Sequence, residues 1–120
     1  MTLACNGRCP FCSNGKFSNM KGDLSLEKYL KLIDECAGLN VPVICLIGGE
    51  PLLYPGLNKL IERINQRGGC SMIATNGYLL SEEKTKELAG CWLSNITISL
   101  HSMNESVHDS IIGLPGAYRR

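Results

Sequence analysis

Apolar residues recur along this chain with two different spacings. Stretches that begin near residues 26, 57, 82 and 106 show the three-to-four-residue spacing of amphipathic helices. Three short runs between them, over residues 43–47, 70–74 and 96–100, are rich in β-branched and aliphatic residues, which is typical of strands. The run over 43–47 is continuously apolar, so it predicts a strand that is buried on both faces.

Polar residues and glycines mark the expected ends of these helices. Ser25 and Ser81 precede the first and third helical stretches and are suitable N-caps. The acidic Glu82 and Glu83 favour a helix start at the same place, because carboxylates stabilise the positive end of a helix. Gly38 and Gly90 are the predicted stops of the two helices.

Strands and helices alternate, with strand starts near residues 43, 70 and 95. This alternation predicts parallel strands joined by right-handed helical crossovers. A further strand is expected to end near Leu3. A complete eight-unit barrel takes about 250 residues, so a chain of 120 residues holds about four units. We therefore expect an α/β fold, a partial parallel (β/α) barrel truncated at both ends, with residues 1–120 forming one incomplete domain.

Composition and charge exclude several classes of protein. The chain is 44% hydrophobic and 19% charged, which is typical of a globular domain and not of a disordered one. A net charge of +1 gives no electrostatic reason to propose nucleic acid or an anionic membrane as a partner. No apolar run approaches the roughly 18–20 residues of a membrane span, and the N-terminus lacks a signal-peptide pattern. A cytoplasmic protein is the expectation.

Candidate metal chemistry is concentrated in a CxxxCxxC pattern formed by Cys5, Cys9 and Cys12. Three thiolates on one short loop suit an iron–sulfur cluster or zinc, but not a hard cation such as magnesium. Clusters usually have four cysteine ligands, so three would leave one iron of a four-iron cluster open for exchange. The alternative, a structural zinc site, needs a fourth ligand such as Cys36 or a histidine.

Four other cysteines lie on predicted helices and strands, where a free thiol behaves as a small buried hydrophobic group. We predict this role, rather than ligation of further clusters, for Cys36, Cys45, Cys70 and Cys91.

Small and polar residues follow the predicted strands, where parallel α/β folds bind ligands. The first strand is followed by paired glycines, which let a ligand approach the backbone, by a carboxylate that can bind a cation, and by a proline that fixes the turn: Gly48, Gly49, Glu50 and Pro51. Thr75 and Asn76 with Gly77 follow the second strand. On the third, Thr97, Ser99 and His101 form a polar face.

Together these motifs resemble radical S-adenosylmethionine (SAM) enzymes. The cysteine pattern, with the aromatic Phe11 just before its third cysteine, resembles the signature loop of that family. Residues 48–51, some 36 positions after the loop, resemble its GGEP motif, and residues 75–77 resemble its TNG segment. Ser99 matches the serine of a Ser-Leu-Asp segment, in which His101 replaces the aspartate.

The resemblance implies a ligand set and a cofactor site. Cys5, Cys9 and Cys12 would ligate a [4Fe–4S] cluster, and SAM would bind the open iron. Phe11 would pack near the adenine, and residues 48–51 would hold the SAM ammonium through backbone groups and Glu50. Thr75, Asn76 and Ser99 would border the same pocket.

The implied activity is reductive cleavage of SAM to a 5′-deoxyadenosyl radical, which takes a hydrogen atom from a substrate. The implied partners are SAM, a flavodoxin- or ferredoxin-like one-electron reductant and an unknown substrate, such as a peptide or a cofactor precursor. Two alternatives stay open from the residues alone: a structural zinc module without catalysis, and an inactive fragment.

Overall fold

Three parallel strands, paired in their sequence order, form the sheet. The computed structural model describes residues 1–17 and 22–120. The strands are β1 (Val43–Leu46), β2 (Cys70–Thr75) and β3 (Asn95–Ile98), and the helices are α1 (Leu26–Gly38), α2 (Leu57–Gln66), α3 (Glu82–Gly90) and α4 (Glu105–Ile112). Because α2 joins β1 to β2 and α3 joins β2 to β3, the predicted parallel α/β arrangement is confirmed.

The helices begin where the sequence predicts and end slightly later. Ser25 Oγ accepts a hydrogen bond from the Lys28 N–H at 3.4 Å, and Ser81 Oγ accepts one from Lys84 at 3.0 Å. Gly38 and Gly90 are the last residues of α1 and α3 rather than stops outside them. The left-handed conformation occurs two residues after each glycine, at Asn40 (φ 56°) and Trp92 (φ 63°), so the glycines themselves do not make the turns.

The hydrophobic core packs against one face of the sheet. Leu46 of β1 and Ile73 of β2 are register partners and both belong to it. The helices contribute Ile33 from α1, Leu88 from α3 and, from α2, the buried side chains Leu57, Leu60, Ile61 and Ile64. Among helices in the described parts of the chain, none is long and apolar enough to span a bilayer.

The opposite face of β1 is exposed, so the prediction of a strand buried on both faces is wrong. Val43 retains 45% of its accessible surface, and Cys45 is also exposed. Both lie on the face away from Leu46, since side chains alternate along a strand. Cys70, the register partner of Val43, shares this exposure. The prediction of burial is therefore wrong for Cys45 and Cys70, while Cys36 is half-buried and Cys91 is buried.

The strand predicted to end near Leu3 is an extended segment, outside the three strands of the described residues. It runs beside the end of β1: Thr2 O accepts a hydrogen bond from the Gly49 N–H at 2.6 Å, and Ala4 O accepts one from Glu50 at 2.7 Å. The described residues thus contain three strands, and this segment, which stands where the end of a further strand was predicted, places the cysteine loop at the C-terminal end of β1.

Candidate functional site

The three cysteines of the predicted cluster loop line a single cavity of about 380 Å³. Cys5 and Cys12 are exposed and Cys9 is half-buried. Gly49, from the segment that follows β1, lines the same cavity. The cysteine loop and the Gly-Gly-Glu-Pro segment therefore meet at one site, as their order along the chain predicts.

The surroundings of this cavity disfavour ionisation of the thiols unless a positively charged group binds beside them. Partial desolvation of their sulfur atoms raises the pKa of the Cys5 and Cys9 thiols. The negative charge of Glu50 raises the pKa of Cys5 further, and that of Cys12 raises both. The Gly7 N–H donates a hydrogen bond to Cys5 Sγ at 3.3 Å, which acts in the opposite direction on the pKa of Cys5. A bound metal centre deprotonates coordinating thiols, so this set of donors fits a cationic iron–sulfur group.

Within residues 1–17 and 22–120, no three His, Cys, Asp or Glu side chains form a group that could hold one ion. Cys36, the candidate fourth ligand of a zinc site, lines a different cavity beside Tyr29 and Leu32 of α1.

Paired glycines allow the chain to cross the N-terminal segment at very short range. A Cβ atom on Gly48 would lie 2.2 Å from Thr2 O, and one on Gly49 would lie 2.2 Å from Ala4 O. Only residues without a side chain fit here. Asn14, which lines the cavity, donates from Nδ2 to Gly48 O at 2.7 Å, so the cysteine loop is attached to this segment from two sides.

We expect the Gly49→Ala substitution to destabilise the fold by about 2–3 kcal/mol, as overpacking of a tight contact does. The added methyl group meets backbone atoms of residues 3 and 4, and these cannot rotate away as a side chain can. Thermal unfolding measures the effect. Gly90→Ala is the control, because a Cβ there meets nothing within 4 Å and alanine favours helix. Equal melting temperatures for Gly49→Ala and wild type would contradict the close crossing.

Glu50 is buried and binds three protein groups. Its side chain is 1% exposed. Oε1 accepts hydrogen bonds from the Leu52 N–H at 3.0 Å and the Thr75 hydroxyl at 2.7 Å, and Oε2 accepts one from the Asn76 N–H at 2.9 Å. The carboxylate therefore caps the short helix Pro51–Leu53 and ties it to the end of β2. One acceptor position remains on Oε2, since a carboxylate offers about four.

Asn76 and Ser99 are brought together, but at a second cavity of about 290 Å³. His108 and Tyr118 line it as well. Asn76 also reaches the cysteine loop, because its Nδ2 donates to Asn6 Oδ1 at 2.8 Å. Asn76 thus lines the second cavity and is hydrogen-bonded to the cysteine loop, which lines the first.

Phe11 is exposed on the cysteine loop, with its ring against that of His101. The ring centroids are 5.1 Å apart in an edge-to-face arrangement, and Phe11 retains 64% of its accessible surface. The His101 N–H donates to Nδ1 of the buried His108 at 3.2 Å. An aromatic surface is therefore available beside the cysteines, at the end of β3.

Sequence reasoning missed Asn6 and Asn14. Neither fits a periodic pattern, and each bonds to a segment more than 30 positions away. Asn6 Nδ2 is buried and has no hydrogen-bond partner within the described residues. A spare N–H donor in the cysteine loop also suits an iron–sulfur group, whose sulfur atoms accept hydrogen bonds.

The sequence model of the Radical SAM superfamily matches residues 1–119. The chain belongs to the radical SAM superfamily. Members of this family use a [4Fe–4S] cluster and SAM. The family membership predicted from the cysteine, Gly-Gly-Glu-Pro and Thr-Asn-Gly motifs is confirmed.

Named relatives of this radical SAM chain are enzymes. The AdoMet-dependent heme synthase of Methanosarcina barkeri is 31% identical over 100% of this chain and 35% of its own length. The PqqA peptide cyclase of Granulibacter bethesdensis is 33% identical over 98% of this chain and 32% of its own length. The chain therefore spans about a third of the length of these curated relatives.

A solved structure has the same fold over nearly the whole of this chain. SuiB of Streptococcus suis, bound to the precursor peptide SuiA, superposes with a TM-score of 0.78 at 19% identity. The match covers 98% of this chain and 27% of SuiB. The parallel α/β fold of this chain thus corresponds to a part of a larger structure.

Proposed function

We propose that this chain holds a [4Fe–4S] cluster through Cys5, Cys9 and Cys12 and, within its full-length protein, cleaves SAM reductively. The observation that carries the proposal is the shared cavity of the three cysteines and Gly49. The cluster held by these three cysteines would supply one electron, received from a flavodoxin- or ferredoxin-like protein, for cleavage of SAM to methionine and a 5′-deoxyadenosyl radical that takes a hydrogen atom from the substrate.

The residues of the chain contribute binding and orientation. The thiolates fix the metal centre at the end of the sheet, and the Gly7 N–H stabilises negative charge on Cys5. Gly48 and Gly49 present backbone groups for SAM, Pro51 fixes that turn, and the remaining acceptor position of Glu50 binds the SAM ammonium. Phe11 offers an exposed ring for the adenine, and Thr75, Asn76 and Ser99 border the nucleotide side of the site.

The proposed substrate is a peptide or a cofactor precursor. Two relatives and one solved structure support this proposal. One relative is named a peptide cyclase and one a heme synthase, and SuiB has been solved with a precursor peptide.

Anaerobic reconstitution of the full-length protein with iron and sulfide tests the proposal. We expect four irons and four sulfides at this site, and 5′-deoxyadenosine after addition of SAM and dithionite. A colourless protein that retains zinc under the same conditions would contradict the proposal and favour a structural zinc module. A four-iron protein that forms no 5′-deoxyadenosine would leave the ligand set standing and refute the activity.

A further inference from the structure

His108 is a buried residue of α4 whose imidazole lies between two other rings. It retains only 2% of its accessible surface. The ring of Tyr118 lies edge-to-face against it, with the centroids 5.8 Å apart, and the ring of His101 stacks on it at 6.0 Å. Asp109 Oδ1 accepts a hydrogen bond from the Tyr118 N–H at 2.9 Å, so Tyr118 is itself held in place. These contacts leave the imidazole little freedom to rotate.

One nitrogen of this imidazole binds the backbone just after β3 leaves the sheet. At the end of β3 the Ser99 N–H still donates to Thr75 O of β2, at 2.9 Å. Two residues later the His101 N–H donates to His108 Nδ1 at 3.2 Å. Because Nδ1 accepts this bond, it carries no proton, and the neutral imidazole is protonated on Nε2. His108 therefore fixes the backbone of His101 beyond the end of the sheet.

With its backbone fixed, His101 places its ring against the cysteine loop. The ring meets that of Phe11 edge-to-face, with the centroids 5.1 Å apart. Aromatic pairs favour this geometry, in which the positive edge of one ring meets the negative face of the other. Phe11 retains 64% of its accessible surface, and His101 is its only ring contact within the described parts of the chain. The orientation of Phe11 thus depends on His101 and, through it, on His108.

We propose that His108 is a positioning residue for the SAM site, which through His101 holds Phe11 in the orientation that binds the adenine. The inference rests on the proposed function, in which Phe11 offers its ring to that base. A side chain that is already oriented loses less conformational freedom when a ligand binds than one that rotates freely. His108 therefore contributes to the affinity for SAM and not to the ligation of the cluster, which the cysteines provide.

Three substitutions separate this role from a purely structural one, in which His108 stabilises α4 without any effect on the cysteine loop. His108→Leu fills much of the same space but cannot accept the bond from the His101 N–H. His108→Asn retains an acceptor, because its Oδ1 can occupy the position of Nδ1. His101→Ala removes the ring that contacts Phe11 and leaves the backbone bond to His108 in place.

The test is equilibrium dialysis of labelled SAM against the full-length protein, reconstituted anaerobically with its cluster. We expect His108→Leu and His101→Ala each to raise the Kd for SAM about fivefold, which is the effect of losing one oriented aromatic pair. His108→Asn should bind SAM nearly as tightly as wild type. Ser110→Ala is the matched control, since Ser110 is exposed on the same helix, and its Kd should equal that of wild type. The iron content of all four variants should be unchanged.

A double-mutant cycle tests whether the effect of His108 acts through Phe11. Phe11→Ala alone should raise the Kd for SAM, and adding His108→Leu should cause no further increase, because the ring to be positioned is gone. Additive losses would overturn the inference, as would wild-type affinity in both His108→Leu and His101→Ala. A loss in His108→Asn equal to that in His108→Leu would also overturn it, since the hydrogen bond to the His101 N–H would then have no part in SAM binding.

These outcomes are distinct from failure of the proposed function. A wild-type protein that holds no four-iron cluster, or that holds one and binds no SAM, would refute the proposed function itself. If His108→Leu fails to fold, the exposed His101 keeps the inference testable: wild-type affinity for SAM in His101→Ala overturns it.

Discussion

The Cys9→Ala variant of the full-length protein is expected to lose the cluster. Cys9 lies between Cys5 and Cys12 in the chain, and all three line the same cavity. Removing one of three ligands leaves two thiolates for a cluster that usually has four cysteine ligands. We expect iron and acid-labile sulfide to fall from four of each to near zero after anaerobic reconstitution, together with the visible charge-transfer absorbance.

Cys70→Ala provides the matched control for this loss. Cys70 is an exposed free thiol, as Cys5 and Cys12 are, but it begins β2 at the opposite end of the strand from Thr75. Its substitution should leave the iron content of the protein unchanged. A full complement of four irons in Cys9→Ala would show that the ligand assignment is wrong.

Positions of the strands and helices could be predicted from the sequence, because each element carries its own periodic pattern. Which face of each strand is buried was harder to predict. Val43 and Cys45 were expected to be buried because their strand is uniformly apolar, yet the described elements place a core on one face only. A strand face is buried only where another element packs against it. The residues of the strand itself do not show whether such an element is present.

Motif spacing predicted the meeting of the cysteine loop with the Gly-Gly-Glu-Pro segment, since parallel strands place their carboxyl ends at one edge. It did not predict what joins them. The contacts of Asn14 with Gly48 and of Asn76 with Asn6 connect residues 34 and 70 positions apart. An asparagine in a loop has no periodic neighbours, so the sequence alone does not reveal its partner.

Glu50 shows a further limit of motif reasoning. Its place in the Gly-Gly-Glu-Pro segment predicts a carboxylate that binds the SAM ammonium, which stays a prediction. The structure adds a role in the fold, through its bonds to Leu52, Thr75 and Asn76. One residue can serve both purposes, because the carboxylate has more acceptor positions than these three bonds use.

For this reason Glu50→Ala is expected to lower the free energy of unfolding as well as the affinity for SAM. The substitution leaves the Leu52 and Asn76 N–H groups and the Thr75 hydroxyl without their acceptor. An unsatisfied buried donor costs about 1–3 kcal/mol, but only the Thr75 bond is buried and the two N–H bonds are partly buried. We therefore expect a loss of about 2–3 kcal/mol in urea denaturation. The cysteine ligands are unchanged, so the cluster should still assemble, while SAM titration should show weaker binding.

Two comparisons separate the structural contribution of Glu50 from its proposed contact with SAM. Glu35→Ala removes an exposed carboxylate from α1 and should change the free energy of unfolding by no more than about 0.5 kcal/mol. Glu50→Gln keeps one oxygen for two of the three bonds but turns an NH₂ group toward the remaining donor, so its stability should fall between those of Glu50→Ala and wild type. Reduced stability with unchanged SAM affinity in both Glu50 variants would assign the carboxylate to the fold alone. Wild-type stability in Glu50→Ala would contradict a stabilising role for these three hydrogen bonds, one of them buried and two partly buried.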